Sequence, residues 1–161
     1  MSSSSTNALN IAAQTIKLIL NREGATLATL RDQLTQLQQV VSQLPMTICW
    51  PDDFGVTSTA LARYMELRTI IQHQWPELGF YDMASLSNEI TDDTSEVGDD
   101  LDNLTDLVKD LSEAAHLAAT DLTGGLSWLR FTADTHWGDH IDDLVRHLGF
   151  VITNGAPPEQ S

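Results

Sequence analysis

The sequence predicts an all-α fold, a single-domain helical bundle of about six helices. Apolar residues recur at helical spacing in six stretches, and glycine, proline and hydroxyl residues punctuate them. Nothing alternates with a period of two for long enough to suggest a sheet. At 161 residues, 42% of them hydrophobic, one core can remove roughly 70% of the unfolded surface from water without a disulfide or a metal.

The serines at residues 2–5 read as a lead-in, so residues 1–7 are expected to be a flexible N-terminus before a bundle domain over 8–152. Thr6 or Asn7 caps a first helix from Ala8 to Asn21, with Leu9, Ala12, Ile16, Ile19 and Leu20 on its apolar face. Gly24 stops it and Thr26 caps the second. There Leu27, Leu30, Leu34, Leu37, Val41 and Leu44 recur at intervals of 3 and 4, an a/d seam suited to left-handed packing. Under three heptads long, the seam reads as a bundle element, with a homodimer built on it as an alternative.

Pro45 ends that helix, and Pro51–Gly55 forms a connecting turn. A third helix runs from about Ser58 to Gln74 on Leu61, Tyr64, Met65, Leu67, Ile70 and Ile71, and Pro76 stops it. Residues 77–95 read as a long loop with a short helical turn near Met83–Asn88. The fourth helix is expected to begin around Asp93–Ser95 and to bury Leu101, Leu104, Val108 and Leu111. It tapers to Ala115 and Ala118, whose size admits a close neighbour. Gly124-Gly125 breaks the chain before a fifth helix from Leu126 to His136. After Gly138, Asp139 caps a sixth, with Ile141, Leu144, Val145, Leu148, Val151 and Ile152 inward. Residues 153–161 read as a disordered tail.

Charge excludes more than it identifies. The chain carries 23 acidic and 8 basic residues, net −15, and residues 91–161 alone hold −12 of it. With no basic stripe to release counterions, nucleic acid is an unsuitable partner, and an anionic membrane surface is disfavoured for the same reason. Cys49 stands alone, no secretory signal opens the chain, and no apolar run reaches the roughly 18 residues of a membrane span. A cytoplasmic protein is expected.

Asp99-Asp100-Leu101-Asp102-Asn103-Leu104, then Asp110-Leu111, then Trp128, Phe131 and His136-Trp137-Gly138 before a final apolar helix, form an ordered set. In that order the chain resembles an uncharacterised bacterial family, domain-of-unknown-function family 5063, over roughly residues 50–152. The resemblance implies an all-helical fold and a bacterial cytoplasmic setting. It implies no catalytic or binding residue.

Three groups of residues are site candidates. Asp99, Asp102, Asp106 and Asp110, spaced 3, 4 and 4, form an acidic stripe relieved only by Lys109 between residues 91 and 129. Such like charges destabilise an isolated helix, so the stripe is either solvated or meets a basic protein. Trp128 and Trp137 would floor a ligand pocket with Arg130 as an anion contact, or else fill the core. His136, His140 and Asp143 have metal-ligating chemistry, but the expected break at Gly138 argues against one shared face, and Trp137 replaces the glutamate of a His-Glu-x-x-His helix. No phosphate loop, nucleophile elbow or calcium loop is present. The leading expectation is a non-enzymatic protein without a cofactor, binding a basic partner as an immunity or regulatory protein does. A small-molecule or metal-binding bundle using the Trp/His cluster is the alternative.

Overall fold

The computed structural model describes residues 3–45, 60–90 and 96–155. Cys49 and the turn at 51–55 lie outside these. The described elements are α1 (Ser3–Leu20), α2 (Leu27–Ser42), α3 (Ala60–Gln74), β1 (Phe80–Asp82), β2 (Val97–Asp99), α4 (Asp100–Thr120), α5 (Leu122–Thr132), a π-helical turn (Ala133–Trp137) and α6 (Gly138–Asn154). The fold is a mostly helical single domain, as the periodicity predicts. Among the described residues, no helix is long and apolar enough to cross a membrane.

The α2 seam packs as its spacing demands. Leu30, Leu34, Leu37, Val41 and Leu44 are buried in the chain's own core, so the seam offers no surface to a second copy. Thr26 caps the helix, accepting from Thr29 N at 3.1 Å. α1 begins at Ser3, earlier than expected, and residues 3–7 are helical. Short polar side chains are tolerated in a first helical turn, where backbone N–H groups have no intrahelical partner. The buried stripe of α1 is Ala8, Ile11, Ala12, Thr15 and Ile19, with Leu9 at its edge. Thr15 enters the core because its hydroxyl donates to Ile11 O at 2.7 Å and accepts from Gln33 Nε2 at 3.0 Å.

In α3, Leu67 and Ile71 are buried, followed by Trp75, whereas Met65 and Ile70 face solvent. The expected loop after it supplies one strand and the expected first turn of the fourth helix supplies the other, a short antiparallel pair with register Phe80↔Asp99, Tyr81↔Gly98 and Asp82↔Val97. Three residues per strand are too few for an alternating pattern to register. Gly98 is fixed by its neighbour, since a Cβ there would lie 2.2 Å from the Tyr81 ring. The strand displaces the start of α4 to Asp100. Asp99 is the cap, accepting from Leu101 N at 3.1 Å and Asp102 N at 3.3 Å.

Gly124-Gly125 does not break the chain. The turn comes earlier, at Asp121, whose carboxylate accepts from Gly124 N at 2.9 Å and caps α5. Both glycines lie inside that helix. A Cβ on Gly125 would sit 2.5 Å from Ala118, so the pair lets α5 approach α4 closely, as the small residues of α4 foreshadow. Nor does Gly138 interrupt the path: α5, the π turn and α6 are continuous, and Asp139 caps nothing. α6 buries Ile141, Leu144, Leu148 and Val151, leaves Ile152 exposed and extends to Asn154, two residues past the expected boundary. Residues 156–161, most of the expected tail, lie outside the described residues.

Candidate metal centre

The π turn decides what the C-terminal cluster can do. Gly138 N donates to Ala133 O, five residues back, the bond that defines a π turn. A Cβ at Gly138 would stand 2.3 Å from that same oxygen, so glycine permits the widened turn. Trp137 locks it from inside: the ring is fully buried and its Nε1–H donates to Thr132 Oγ1 at 2.9 Å. With Trp137 held inward, His136 and His140 emerge on the side facing α4, their rings edge to face at 4.7 Å.

Across from them, α4 presents Asn103, Asp106 and Asp110, spaced 3 and 4 and hence on one face. His136 Nδ1 lies 2.5 Å from Asp110 Oδ2, and His140 Nδ1 lies 2.6 Å from Asn103 Oδ1. In a neutral imidazole each acceptor holds the ring proton at Nδ1 and leaves the Nε2 lone pair free to ligate. Both Nε2 atoms approach the same oxygen, Asp106 Oδ2, at 3.5 Å from His136 and 3.7 Å from His140. These three ligand atoms lie within 4.8 Å of one another. A tetrahedral ion with bonds of 2.0–2.2 Å sets its ligand atoms about 3.3–3.6 Å apart, which the two contacts to Asp106 already nearly match.

The electrostatics favour a cation. Burial pushes the Asp106 carboxyl above the usual carboxylate range and the Asp102 charge adds to this, while His136, His140 and Lys109 pull it back. Burial raises Asp110 too, with His136 opposing and Glu113 and Asp106 adding. Two carboxylates short of water gain most from a positive charge between them.

The acidic stripe is therefore not a free face. All four aspartates are half-buried, and each is engaged within the chain. Asp99 pairs with Arg68 at 2.8 Å, Asp102 accepts from the Tyr64 hydroxyl, and Asp106 and Asp110 meet the histidines. Nor are the two tryptophans brought together as the floor of a pocket with Arg130. Trp137 is core, and Trp128 packs against the core beside Phe131. The Arg130 guanidinium caps α2, donating to the carbonyls of Val41, Ser42 and Leu44 and pairing with Asp134 at 3.0 Å. A shallow groove of about 190 Å³ between α2 and the π turn touches Trp137 but neither Trp128 nor Arg130. Asp143 is not a partner of the histidines: it lies on the side of α6 toward Tyr81, whose hydroxyl donates to its carbonyl at 3.5 Å. Asp106 takes the place the sequence suggested for it.

A second polar pair, between residues 47 apart in the chain, has no local signature in the sequence. His147 and Asp100 are both fully buried, Nδ1 to Oδ2 at 2.7 Å, and the Tyr81 ring stacks on the imidazole at 3.9 Å. Burial pushes Asp100 upward and His147 opposes it. Asn88 Oδ1 faces His147 Nε2 at 3.3 Å. Without access to solvent, this group ties the sheet, α4 and α6 together.

Compared with known protein families and with curated proteins, the sequence has no match. Among solved structures, the crystal structure of protein BF1032 from Bacteroides fragilis is similar, with a TM-score of 0.68 at 16% identity, covering 94% of this chain and 96% of that one. At that identity the likeness speaks for the fold alone.

Proposed function

We propose that the chain is a divalent-metal-binding helical protein, in which His136, His140 and Asp106 ligate the ion and Asp110 and Asn103 orient the two imidazoles. The observation that carries the reading is the engagement of both Nδ1 atoms by acceptors, which turns both Nε2 atoms toward one carboxylate oxygen. Ligating histidines almost always have their other ring nitrogen held this way. Two imidazoles and one carboxylate suit zinc and its 3d neighbours, whereas magnesium and calcium seek all-oxygen sites. The reading assigns no turnover.

The test is a zinc competition titration on protein without an affinity tag. One tight equivalent is expected, lost in His136→Ala and in His140→Ala while both variants keep the native circular dichroism. Binding unchanged in both variants would place zinc elsewhere and end the proposal.

Engagement of a basic protein partner is the second reading, and the net charge of −15 supports it. It ranks lower because Asp99, Asp102, Asp106 and Asp110 are each occupied within the chain. A cytoplasmic setting and membership of family 5063 belong to the same proposal, supported by the ordered Asp-Asp-Leu and His-Trp-Gly segments.

A further inference from the structure

We propose that the ion's fourth coordination position is open and takes a neutral nitrogen donor, of the class a partner protein's histidine presents, in preference to an anion such as phosphate. The inference rests on the metal-binding reading above. Among the described residues, the set of mutually close ligand atoms stops at three. Structural zinc sites are closed by four protein ligands, whereas three-ligand sites keep a position for water or an incoming group.

The position is reachable. The His136 side chain is 44% exposed and those of His140 and Asp106 are 26% and 21% exposed, so the point they face lies at the surface. The described groove lies on the α2 side of the π turn and is lined by neither histidine, so it does not serve this position. A small ligand at so exposed a position buries little of its surface, while a side chain carried by a larger partner brings its own surface.

Charge selects the class of donor. Asp110 stands behind His136, Asp102 acts on Asp106 and Glu113 on Asp110, against Lys109 as the opposing cation. A seated divalent ion leaves this neighbourhood without net positive charge. An approaching anion is repelled, and an uncharged imidazole is not.

The experiment loads untagged protein with cobalt(II), whose visible bands report coordination number and ligand exchange. Imidazole is expected to shift the bands saturably. Phosphate should need at least about ten times the concentration, equivalent to about 1.4 kcal/mol of discrimination. Bands unmoved by imidazole, or moved as readily by phosphate, overturn this inference and leave the metal-binding reading standing. Failure to bind cobalt at all removes both.

Discussion

Gly138→Ala and Gly149→Ala make the same chemical change in one helix and should have opposite effects. Alanine gains roughly 0.8–1.0 kcal/mol of helix propensity over glycine at either position. At Gly149 nothing lies within 4 Å of the added methyl, so the gain stands alone and the variant is expected to be stabilised by about 0.5–1 kcal/mol. At Gly138 the methyl meets Ala133 O at 2.3 Å, roughly 1 Å inside ordinary contact. Overpacking of this kind costs about 1–3 kcal/mol. Propensity cancels in the comparison, so the two variants should differ by about 1–3 kcal/mol, or roughly 2–12 °C in Tm for a chain of this length. Urea denaturation and thermal melting of both variants supply the numbers, and zinc titration supplies the functional half. If the π turn tightens to an α turn to escape the clash, His136 rotates by about 100° relative to α6 and leaves Asp106. Two alanine variants of equal stability, both binding zinc as the wild type does, would refute the claim that Gly138 maintains the widened turn.

Asp110→Asn keeps an acceptor for His136 but removes its charge, and zinc affinity should fall about 10–100-fold with stoichiometry unchanged; an unaltered affinity would deny Asp110 its orienting role. His147→Ala strands a fully buried Asp100 carboxyl, so chemical denaturation should report a loss of about 3–5 kcal/mol, and a loss below about 1 kcal/mol would contradict the pairing. Alkaline titration followed at 295 nm probes both of the chain's tyrosines. Burial, with the hydrogen bond to Asp102 and its charge, pushes Tyr64 up to about 12, and burial with Asp100 nearby takes Tyr81 well above the usual phenol range. The ionised form is the disfavoured one in the fold, so the unfolded chain loses its protons first. Stability is full below about pH 10 and declines as pH rises toward 12. Phenolate absorbance should stay flat through pH 10 and then rise with unfolding; a native-state transition near pH 10 would contradict this burial.

The parts of the fold that repeat were legible in the residues. The α2 seam and its Thr26 cap, the inward positions of α6, and the small residues by which α4 admits α5 all follow from spacing and side-chain size. What escaped was set by contacts between distant segments. Gly124, Gly125 and Gly138 have the composition of helix breakers, yet each lies inside a helix. At Gly125 and Gly138 a neighbour occupies the space of a side chain, a fact that only the packed structure contains. The same error hid the site: a break at Gly138 separates His136 from His140, whereas a π turn presents both to α4. Asp102, Asp106 and Asp110 share a face of α4 as their spacing implies, whereas Asp99 precedes the helix as its cap; a face against water and a face against histidines look alike along a single helix. Asp106 and Asp110 carry no local sign of their partners 26 to 34 residues away. The Asn103–Asp106–Asp110 spacing opposite two histidines four apart is the clue that was available.

A zinc-soaked crystal of the untagged chain, measured on both sides of the zinc absorption edge, tests the central claim most directly. The expected result is a single strong anomalous peak 2.0–2.2 Å from His136 Nε2, His140 Nε2 and one carboxylate oxygen of Asp106, the ordinary bond lengths of zinc. Density elsewhere on the surface, with the two imidazoles still turned toward an ion-free Asp106, would contradict it.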